Sequence, residues 1–546
     1  MAFLIPDHVP FKAQCAVRLL KKYASVDSAA ETAVIRFLED PSCPGDGYRI
    51  QTAENEILIR GNSVVAFNGA VGRLLRHSHQ PVSDETVTYN SDFRAVYFAN
   101  HFYNYYHAAP VEELCDYLES LALWGQNTLA LWFDMHHFTS LSAPSAQQML
   151  QKMVRLFEKA KELGMKTSLT HLANEYYTGA PKALLAENST QSGKYKQKLG
   201  GYFYTELCPS NQQGEALLLT SFAQLLEAFG SVGLDYIMLW PYDQGGCTCD
   251  RCYPWGSNGF YNIAKQKAAL AKRRFPQIEI IFSCWWFDCF TSGEWEKALA
   301  RIRTDGAWID KLMIDIDTEI PGELETIQKP VVSFPEISMH GATPWGGFGA
   351  NPIPRRLQDW FAQSKNICAG GAIYSEGIFE DINKVVALEL MRDPEIDPET
   401  VITEYCAYHF GLEYAKALAE LVLHLEATLP RRTRLADGSF NNYPSGKPKA
   451  LHTYILVNTA KVPAIAQTML EIDKKLPSAV RNNWRYRQIY IRALGDLALL
   501  NNDGVPSQES DALYEELEKI YHSQRAYYFL SPVTRKSILE NRGEGV

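Results

Sequence analysis

The residues best suited to chemistry in this chain are carboxylates that follow short apolar segments. Glu175, Asp243, Glu336 and Glu376 each come just after a segment with the composition of a buried strand. Glycoside hydrolysis needs two such groups, one protonated to assist the leaving group and one ionised to attack or to activate water. We therefore predict that the catalytic pair lies among these four residues.

Aromatic and polar side chains at the same strand ends are candidates for binding a sugar. Flat tryptophan faces can cover sugar C–H groups, whereas histidine and carboxylate side chains can hydrogen-bond hydroxyl groups. For each of them, core packing or helix capping is the alternative interpretation. The predicted substrate-binding residues are His101, Asp134, His171, Trp240, Tyr242, Trp285, Trp286, Asp315, Asp317 and Trp345.

Four cysteines lie close to Asp243 in the sequence or in the expected fold. Cys247, Cys249 and Cys252 fall within six residues, and Cys208 precedes the adjacent predicted helix. Four thiolates at such spacing favour a closed tetrahedral zinc site that would pin the loop carrying Asp243. Free thiols, or a disulfide between Cys249 and Cys252, are the alternatives. No cofactor is expected for catalysis itself.

These residues depend on an alternation of strands and amphipathic helices that begins near residue 93. Eight strands in β-then-α order predict a (β/α)8 TIM barrel, in which chemistry sits at the C-terminal ends of the strands. No glycine-rich dinucleotide fingerprint follows any strand, which disfavours an open doubly wound sheet. The predicted strands are 93–100, 128–134, 167–172, 236–239, 278–283, 312–317, 331–334 and 372–374.

The barrel is flanked by two segments of different character. Residues 1–90 predict a small α+β domain, with a strand at 32–38, two strands within 48–60 and a helix capped by Ser63. Residues 77–90 are expected to form a linker. Residues 91–390 form the predicted catalytic barrel and residues 391–546 a helical C-terminal domain.

Composition excludes several classes of function. The chain has 546 residues, a formal charge of −10 and 46% hydrophobic residues, which is typical of a globular protein and disfavours a nucleic-acid partner. No apolar segment is long enough to predict a membrane span. The N-terminus lacks the pattern of a secretory signal, so a cytoplasmic location is expected unless such a signal has been removed. A homo-oligomer, formed through the helical domain, stays open.

Three segments of the N-terminal region resemble a known accessory domain. They are Gly47-Tyr-Arg-Ile, Ile57-Leu-Ile-Arg-Gly-Asn and Gly72-Arg-Leu-Leu. They resemble the α+β domain that precedes the barrel in β-hexosaminidases, α-glucuronidases and α-N-acetylglucosaminidases. The segment Ala387-Leu-Glu-Leu-Met-Arg-Asp-Pro is similar to the start of the helical domain in the glucuronidase-like members. The resemblance implies a glycosidase with this order of domains.

The cysteine-bearing segment carries a second resemblance. Asp243-Gln-Gly-Gly-Cys-Thr-Cys-Asp-Arg-Cys is similar to a motif in barrels of the same group and to the zinc-binding loop of some β-galactosidases. In the large clan of barrel glycosidases the acid follows strand four and the nucleophile strand seven, which implies Asp243 and Glu336 here. The chain departs from that clan, because neither Asn-Glu nor Asp-Glu stands after strand four.

The leading functional hypothesis is a hydrolase that removes a terminal hexosaminide, uronide or hexoside. A carbohydrate-binding protein on a degenerate barrel is the first alternative. A zinc-dependent hydrolase, with a catalytic metal on the cysteines or on His136 and His137, is the second. A closed set of four thiolates argues against the cysteines in that role, since catalytic zinc keeps an open position.

Overall fold

The computed structural model describes residues 2–4, 9–24, 32–53, 56–77, 83–100, 104–188, 205–242, 246–315, 322–337, 350–429, 433–434, 440–441, 456 and 458–522. Four of the predicted site residues, His101, Asp243, Asp317 and Trp345, lie outside these ranges. Within them, no helix combines the length and the apolar character needed to cross a membrane.

The N-terminal unit is a five-stranded sheet with two helices, α1 (Gln14–Tyr23) and α2 (Val64–Arg76). The Ser63 hydroxyl accepts a hydrogen bond from the Ala66 amide, as the predicted cap requires. In the order of the sheet, the strands are β1 (Ala2–Leu4), β2 (Thr32–Glu39), β4 (Glu56–Gly61), β3 (Tyr48–Ala53) and β5 (Glu85–Val87).

Strand β5 corrects the prediction that residues 77–90 form a linker. It pairs antiparallel with β3, with Val87 opposite Tyr48. Three residues are too short for a recognisable alternation of polar and apolar side chains, and only Val87 among them is buried. The pairing with β3, rather than local sequence pattern, therefore determines this strand.

The central unit is a closed barrel of eight parallel strands, which confirms the predicted fold. Its strands are buried on both faces, so they appear as continuous apolar segments. The strands are β6 (Phe93–Phe98), β7 (Thr128–Trp132), β8 (Lys166–Leu172), β9 (Tyr236–Trp240), β10 (Glu279–Ser283), β11 (Lys311–Ile314), β12 (Val331–Ser333) and β13 (Cys368–Ser375). The helices are α3 (Tyr105–Ala108), α4 (Val111–Ala122), α5 (Pro144–Glu162), α6 (Gln212–Ala228), α7 (Phe260–Arg274), α8 (Glu294–Asp305), α9 (Pro354–Ser364) and α10 (Asp381–Arg392).

Helices dominate the described residues that follow the barrel. They are α11 (Pro398–Phe410), α12 (Leu412–Thr428), α13 (Val462–Asp473), α14 (Ser478–Arg481), α15 (Trp484–Asn501) and α16 (Gln508–Ile520). One short antiparallel pair departs from the all-helical expectation: β14 (Thr433–Arg434) pairs with β15 (Phe440–Asn441).

Helix α2 attaches the N-terminal unit to the barrel at very close range. A Cβ atom on Gly72 would lie 1.9 Å from the Leu123 carbonyl oxygen at the end of α4, so only glycine fits there. The Asn68 amide donates to the Leu163 carbonyl at 2.9 Å, and Arg76 Nη1 donates to the Leu123 carbonyl at 2.5 Å. These contacts satisfy carbonyls at the C-terminal ends of α4 and α5.

The C-terminal helices attach to the barrel through a buried carboxylate, Asp381, the first residue of α10. It accepts hydrogen bonds from Tyr117 (2.8 Å), Tyr405 (2.7 Å) and Arg485 Nε (2.8 Å). Burial alone would raise the pKa of Asp381, but the charges of Arg485 and Lys384 hold it below its ordinary value. The carboxylate therefore joins α4, α10, α11 and α15.

Candidate active site

Aromatic rings from five strand ends meet at the C-terminal mouth of the barrel. We call Tyr97, Trp240, Trp285, Phe334 and Tyr374 the aromatic floor. Ring centroids lie 5.3 Å apart for Trp240 and Trp285, 4.7 Å for Trp240 and Phe334, 5.5 Å for Phe334 and Tyr374, and 5.6 Å for Tyr374 and Tyr97. All five rings are buried, so the floor closes the barrel interior beneath the mouth.

Two predicted catalytic glutamates are hydrogen-bonded to this floor. Trp285 Nε1 donates to Glu336 Oε1 at 3.2 Å, and the Tyr374 hydroxyl donates to Glu376 Oε1 at 2.9 Å. Glu336 follows β12 and forms a parallel bridge with Tyr374, two residues before Glu376. The two glutamates therefore come from neighbouring strand ends, and a continuous chain of rings connects them.

The two glutamates differ in environment. Glu336 is half-buried, whereas Glu376 is only 6% exposed. Burial and the neighbouring Glu380 raise the pKa of Glu376 to about 8. Glu380 Oε2 also accepts from the Glu376 amide at 3.1 Å, which keeps the two residues together. Glu376 therefore holds a proton at neutral pH.

The segment after β10 presents a second tryptophan in front of the floor. Trp286 stacks on Trp285 with ring centroids 4.3 Å apart and an interplanar angle of 14°. Trp286 has φ of 60° and Asp288 has φ of 62°, a left-handed conformation that costs energy for residues other than glycine. Such strain is common at ligand sites. Trp286, unlike Trp240 and Trp285, is not fully buried, so of these three tryptophans it is the one best placed to contact a ligand.

Tyr242 does not face the mouth, contrary to its predicted binding role. It is fully buried, and its hydroxyl donates a hydrogen bond to Glu294, the first residue of α8. Glu294 also accepts from the backbone amides of Gly256 (2.5 Å) and Asp288 (3.1 Å). The pair thus joins the loops after β9 and β10, a structural role that the sequence analysis missed.

Replacement of Glu294 by glutamine is expected to change how stability depends on pH. Burial raises the pKa of Glu294 to about 8 from an ordinary 4.5, so the folded protein keeps a proton that the unfolded chain loses above pH 4.5. This contribution to the free energy of unfolding is complete below pH 4.5 and disappears as the pH rises towards 8. The slope should reach about 1.4 kcal/mol per pH unit for one such group.

Urea unfolding of the wild type and E294Q between pH 5 and 8 measures this difference. E294Q should show a shallower loss of stability than the wild type, whereas E296Q, an exposed position on the same helix, should match the wild type. Equal slopes in E294Q and the wild type would contradict the prediction. Glu376, whose pKa is also raised, should make its own contribution of the same sign to the dependence of unfolding free energy on pH.

Glu175 is fully buried in a hydrogen-bond network at the end of β8. It accepts from Trp132 Nε1 at 3.0 Å and from the His136 amide at 3.1 Å, and its Oε1 lies 2.5 Å from His136 Nδ1. Both carboxylate oxygens therefore have partners within the protein. The position of Glu175 suits the orientation of His136 better than direct contact with a substrate.

Asp134 and His137 lie beside this network, in the short turn after β7. Asp134 is fully buried and its Oδ2 contacts His137 Nδ1. Burial raises the pKa of Asp134 well above its ordinary value and lowers the pKa of His137 to about 4. Neutral forms of both groups are therefore favoured.

His171 lies behind the barrel wall, so the prediction that it binds substrate is contradicted. Its ring packs against Phe222 of α6, with centroids 4.7 Å apart, and its Nε2 lies 2.6 Å from Lys267 Nζ of α7. Burial lowers the pKa of His171 well below its ordinary value and lowers the pKa of Lys267 to about 7. The pair belongs to the layer between strands and helices.

Asp315 is buried directly after β11, at the level of the mouth. It is therefore at the strand end where the sequence analysis placed it. For His101, Asp243, Asp317 and Trp345, the predictions lie outside the described residues.

The four predicted zinc ligands converge. Sulfur atoms of Cys208, Cys247, Cys249 and Cys252 all lie within 4.8 Å of one another. Cys208 Sγ is 3.7 Å from Cys249 Sγ and 3.9 Å from Cys252 Sγ. All eleven cysteines are among the described residues and none is bridged, so the alternative of a Cys249–Cys252 disulfide does not occur in this structure.

Asn174 holds the cysteine loop to the barrel. Its side chain donates to the carbonyls of Gly246 (2.9 Å) and Leu207 (3.1 Å) and accepts from the Gly246 amide (3.0 Å). Gly246 has φ of 123°, a conformation that side-chain-bearing residues rarely adopt. The residues before Cys247 and before Cys208 are therefore fixed by one side chain at the end of β8.

Similar folds occur among solved structures. A GH138 enzyme targeting pectin rhamnogalacturonan II aligns at 10% identity with a TM-score of 0.57, over 97% of this chain and 74% of that one. A family GH115 4-O-methyl-α-glucuronidase with specificity for decorated arabinogalactans aligns at 10% identity with a TM-score of 0.61, over 96% and 76%. The GH89 protein from Clostridium perfringens, in complex with its substrate GlcNAc-α-1,4-galactose, aligns at 11% identity with a TM-score of 0.59.

The coverage of these alignments bears on the fold alone. The GH89 alignment spans 93% of this chain and 64% of that protein, so this chain is the shorter of the two. Alignments that include nearly the whole chain show that the likeness extends beyond the barrel to the flanking units. No protein-family profile and no curated protein sequence matches the chain.

Proposed function

We propose that this protein is a glycoside hydrolase that releases a terminal sugar, with Glu376 as proton donor and Glu336 as the second carboxylate. The observation that carries the proposal is the attachment of both glutamates to one aromatic floor in contrasting environments. Glu376 is buried beside Glu380 and holds a proton, while Glu336 is half-buried against Trp285. Glycoside hydrolysis requires one carboxyl group that can donate a proton and a second carboxyl group that acts at the anomeric carbon or on the attacking water.

The chemistry assigns a distinct task to each group. Glu376 would donate its proton to the glycosidic oxygen, so that the leaving group departs as an alcohol. Glu336 would then attack the anomeric carbon or remove a proton from the attacking water, depending on the separation of the two carboxyl groups. Trp286 would contact the sugar ring and the aromatic floor would exclude water from beneath it.

The solved structures support this class of reaction, because the similar proteins are described as glycoside hydrolases. Their substrates differ: a pectin component, a GlcNAc-α-1,4-galactose disaccharide and decorated arabinogalactans. We therefore extend the reaction class to this chain and leave the sugar open among hexosaminide, uronide and hexoside. Asp243, outside the described residues, stays a prediction for the acid.

We also infer that Cys208, Cys247, Cys249 and Cys252 hold a structural zinc ion. Four sulfur atoms within 4.8 Å of one another need only small side-chain adjustments to surround one ion with Zn–S bonds of about 2.3 Å. Four thiolates leave no open position, so this ion would stabilise the loop after β9 without taking part in hydrolysis. Catalysis itself needs no cofactor in this proposal.

The remaining predictions concern the setting of the protein. A carbohydrate is the proposed partner. The absence of a nucleic-acid partner, a homo-oligomer and a cytoplasmic location are predictions from composition and sequence pattern. The division at residues 90 and 390 is likewise our proposal for the domain boundaries.

A panel of aryl glycosides, covering both anomers of hexoses, N-acetylhexosamines and uronic acids, tests the proposal. We expect the wild type to turn over at least one member of the panel. Binding of sugars without turnover of any member would favour the carbohydrate-binding alternative. Turnover that a chelator abolishes and zinc restores, with the circular dichroism spectrum unchanged throughout, would favour a zinc-dependent hydrolase.

A further inference from the structure

A second cluster of metal-binding side chains lies at the mouth, apart from the cysteines. One ligand atom each from Asp134, His136 and His137 can be chosen so that all three lie within 4.8 Å of one another. The three residues lie within four positions of the turn after β7, and the imidazole rings of His136 and His137 have centroids 4.1 Å apart. Two imidazoles and one carboxylate are a common ligand set for divalent transition metals.

The arrangement of His136 is that of a metal ligand with a supporting carboxylate. Its Nδ1 faces Glu175 Oε1 at 2.5 Å, which directs Nε2 away from Glu175. Glu175 is itself fixed by Trp132 Nε1 at 3.0 Å. A histidine that binds a metal through one nitrogen usually has its other nitrogen held by a carboxylate in this way.

The turn that carries the three residues is fixed before any ligand arrives. Glu175 accepts from the His136 amide at 3.1 Å, and Thr178 Oγ1 donates to the His136 carbonyl at 2.5 Å. The Thr178 amide donates to the carbonyl of Phe138 at 2.8 Å. Both partners come from the segment after β8, so two adjacent strand ends hold the turn in place.

Asp134 supplies an independent indication of a ligand. Its side chain is fully buried, and its Oδ1 accepts no hydrogen bond from any residue in the described part of the chain. A buried carboxylate oxygen without a partner is unfavourable, because it has lost its hydration and gained no hydrogen bond. Coordination of a cation is one of the few ways to satisfy such an atom in the protein interior.

We propose that Asp134, His136 and His137 form a metal site that takes a divalent transition-metal ion such as Zn²⁺. Ligand atoms about 2.1 Å from one ion lie no more than about 4.2 Å apart, so small rotations of these side chains suffice. Three protein ligands leave an open coordination position for water or for a ligand oxygen. The site does not depend on the proposed hydrolase activity, since binding of the ion can be measured without turnover.

The chemistry of the ligands limits which metal ions the site can bind. Imidazole nitrogen suits Zn²⁺, Co²⁺ and Ni²⁺, whereas Mg²⁺ and Ca²⁺ prefer ligand sets made of oxygen. A metal ion binds the ionised carboxylate and the neutral imidazole, so the affinity of the site should fall as the pH is lowered. The site is distinct from the cysteine cluster, which offers sulfur alone.

Metal counting on tag-free full-length protein tests the proposal. After removal of metal and dialysis against Zn²⁺, the wild type should retain one equivalent more than H137A, measured by elemental analysis. H137A alters a half-exposed side chain, and H424A, an exposed histidine on α12, should match the wild type. Equal zinc content in H137A and the wild type would overturn the proposal.

Cobalt substitution provides a second measurement that separates the two clusters. A C247S/C252S variant should lose the thiolate-to-cobalt charge-transfer band but keep weaker ligand-field bands from the site at Asp134, His136 and His137. H137A should show the opposite pattern. If the double cysteine variant is unstable, the spectrum of H137A decides alone, since ligand-field bands identical to those of the wild type refute the site.

Discussion

Replacement of Glu376 by glutamine is expected to lower kcat about 10²–10⁴-fold on glycosides with poor leaving groups. Glutamine keeps the size of the side chain and can still pair with the Tyr374 hydroxyl, but it has no proton to donate. A good leaving group departs from the sugar without being protonated. E376Q should therefore hydrolyse glycosides that carry such groups nearly as fast as the wild type. The dependence of rate on leaving-group pKa should therefore become much steeper.

The pH profile offers a second readout of the same assignment. Because burial raises the pKa of Glu376 to about 8, the wild type should lose activity on poor leaving groups above that pH. E376Q should lack this alkaline limb. E336Q should instead lose activity on every leaving group, since attack on the anomeric carbon, by Glu336 itself or by a water that it activates, is required in all cases.

Two further variants test whether Glu376 or another residue is the catalytic acid. E296Q changes an exposed glutamate on α8 and should retain wild-type kinetics with every substrate. D243N tests the acid that the family resemblance implies. A steep leaving-group dependence in D243N, together with wild-type behaviour of E376Q, would transfer the role of acid to Asp243.

Among the variants proposed here, loss of a cysteine ligand is expected to lower the free energy of unfolding the most. C247S should lower the free energy of unfolding by about 4 kcal/mol or more, because removal of a structural metal is among the few single changes with so large an effect. Structural zinc contributes directly to folding free energy, because the ion joins ligands from separate segments of the chain. Treatment of the wild type with a strong chelator should lower the melting temperature as C247S does.

The control for this prediction is a cysteine of the same chain outside the cluster. C368S, at the start of β13, should keep both the zinc content and the chelator sensitivity of the wild type. A C247S protein with wild-type zinc content, or a wild type whose melting temperature no chelator alters, would show that the four thiols do not hold a structural ion.

The barrel could be predicted from sequence because its strands are buried on both faces. Such strands appear as apolar segments, and seven of the eight lie within about three residues of their predicted ends. Strand β13 is the exception, since it begins at Cys368 rather than residue 372. The glycines at 370 and 371 carry no apolar side chain, so the pattern gave no sign of a strand there.

The candidate site was harder to predict than the barrel, for a related reason. When both faces of a strand are apolar, alternation no longer shows which side chains point inwards. His171 therefore looked like a mouth residue, although it faces α6 and α7. Tyr242 looked like a ligand contact because nothing in the sequence pairs it with Glu294, which is 52 residues away.

The pairing of strand-end acids with aromatic residues also required the structure. Glu336 and Glu376 were predicted from their positions alone. The hydrogen bonds from Trp285 and Tyr374, which give the two carboxyl groups a common support, join residues from different strands. The sequence signal that was available, an acid two residues after a strand tyrosine, is too common to be diagnostic.

The three side chains that donate hydrogen bonds to Asp381 come from both the barrel and the C-terminal helices, which limits how this protein could have been assembled in evolution. Asp381 lies five residues after Glu376. Without α11 and α15, it would lose its hydrogen bonds from Tyr405 and Arg485. A barrel without these helices would leave Asp381 with only Tyr117 of its three hydrogen-bond donors. Recombination that exchanges α11 and α15 for helices of another protein should therefore yield chimeras in which Asp381 lacks two of its three donors.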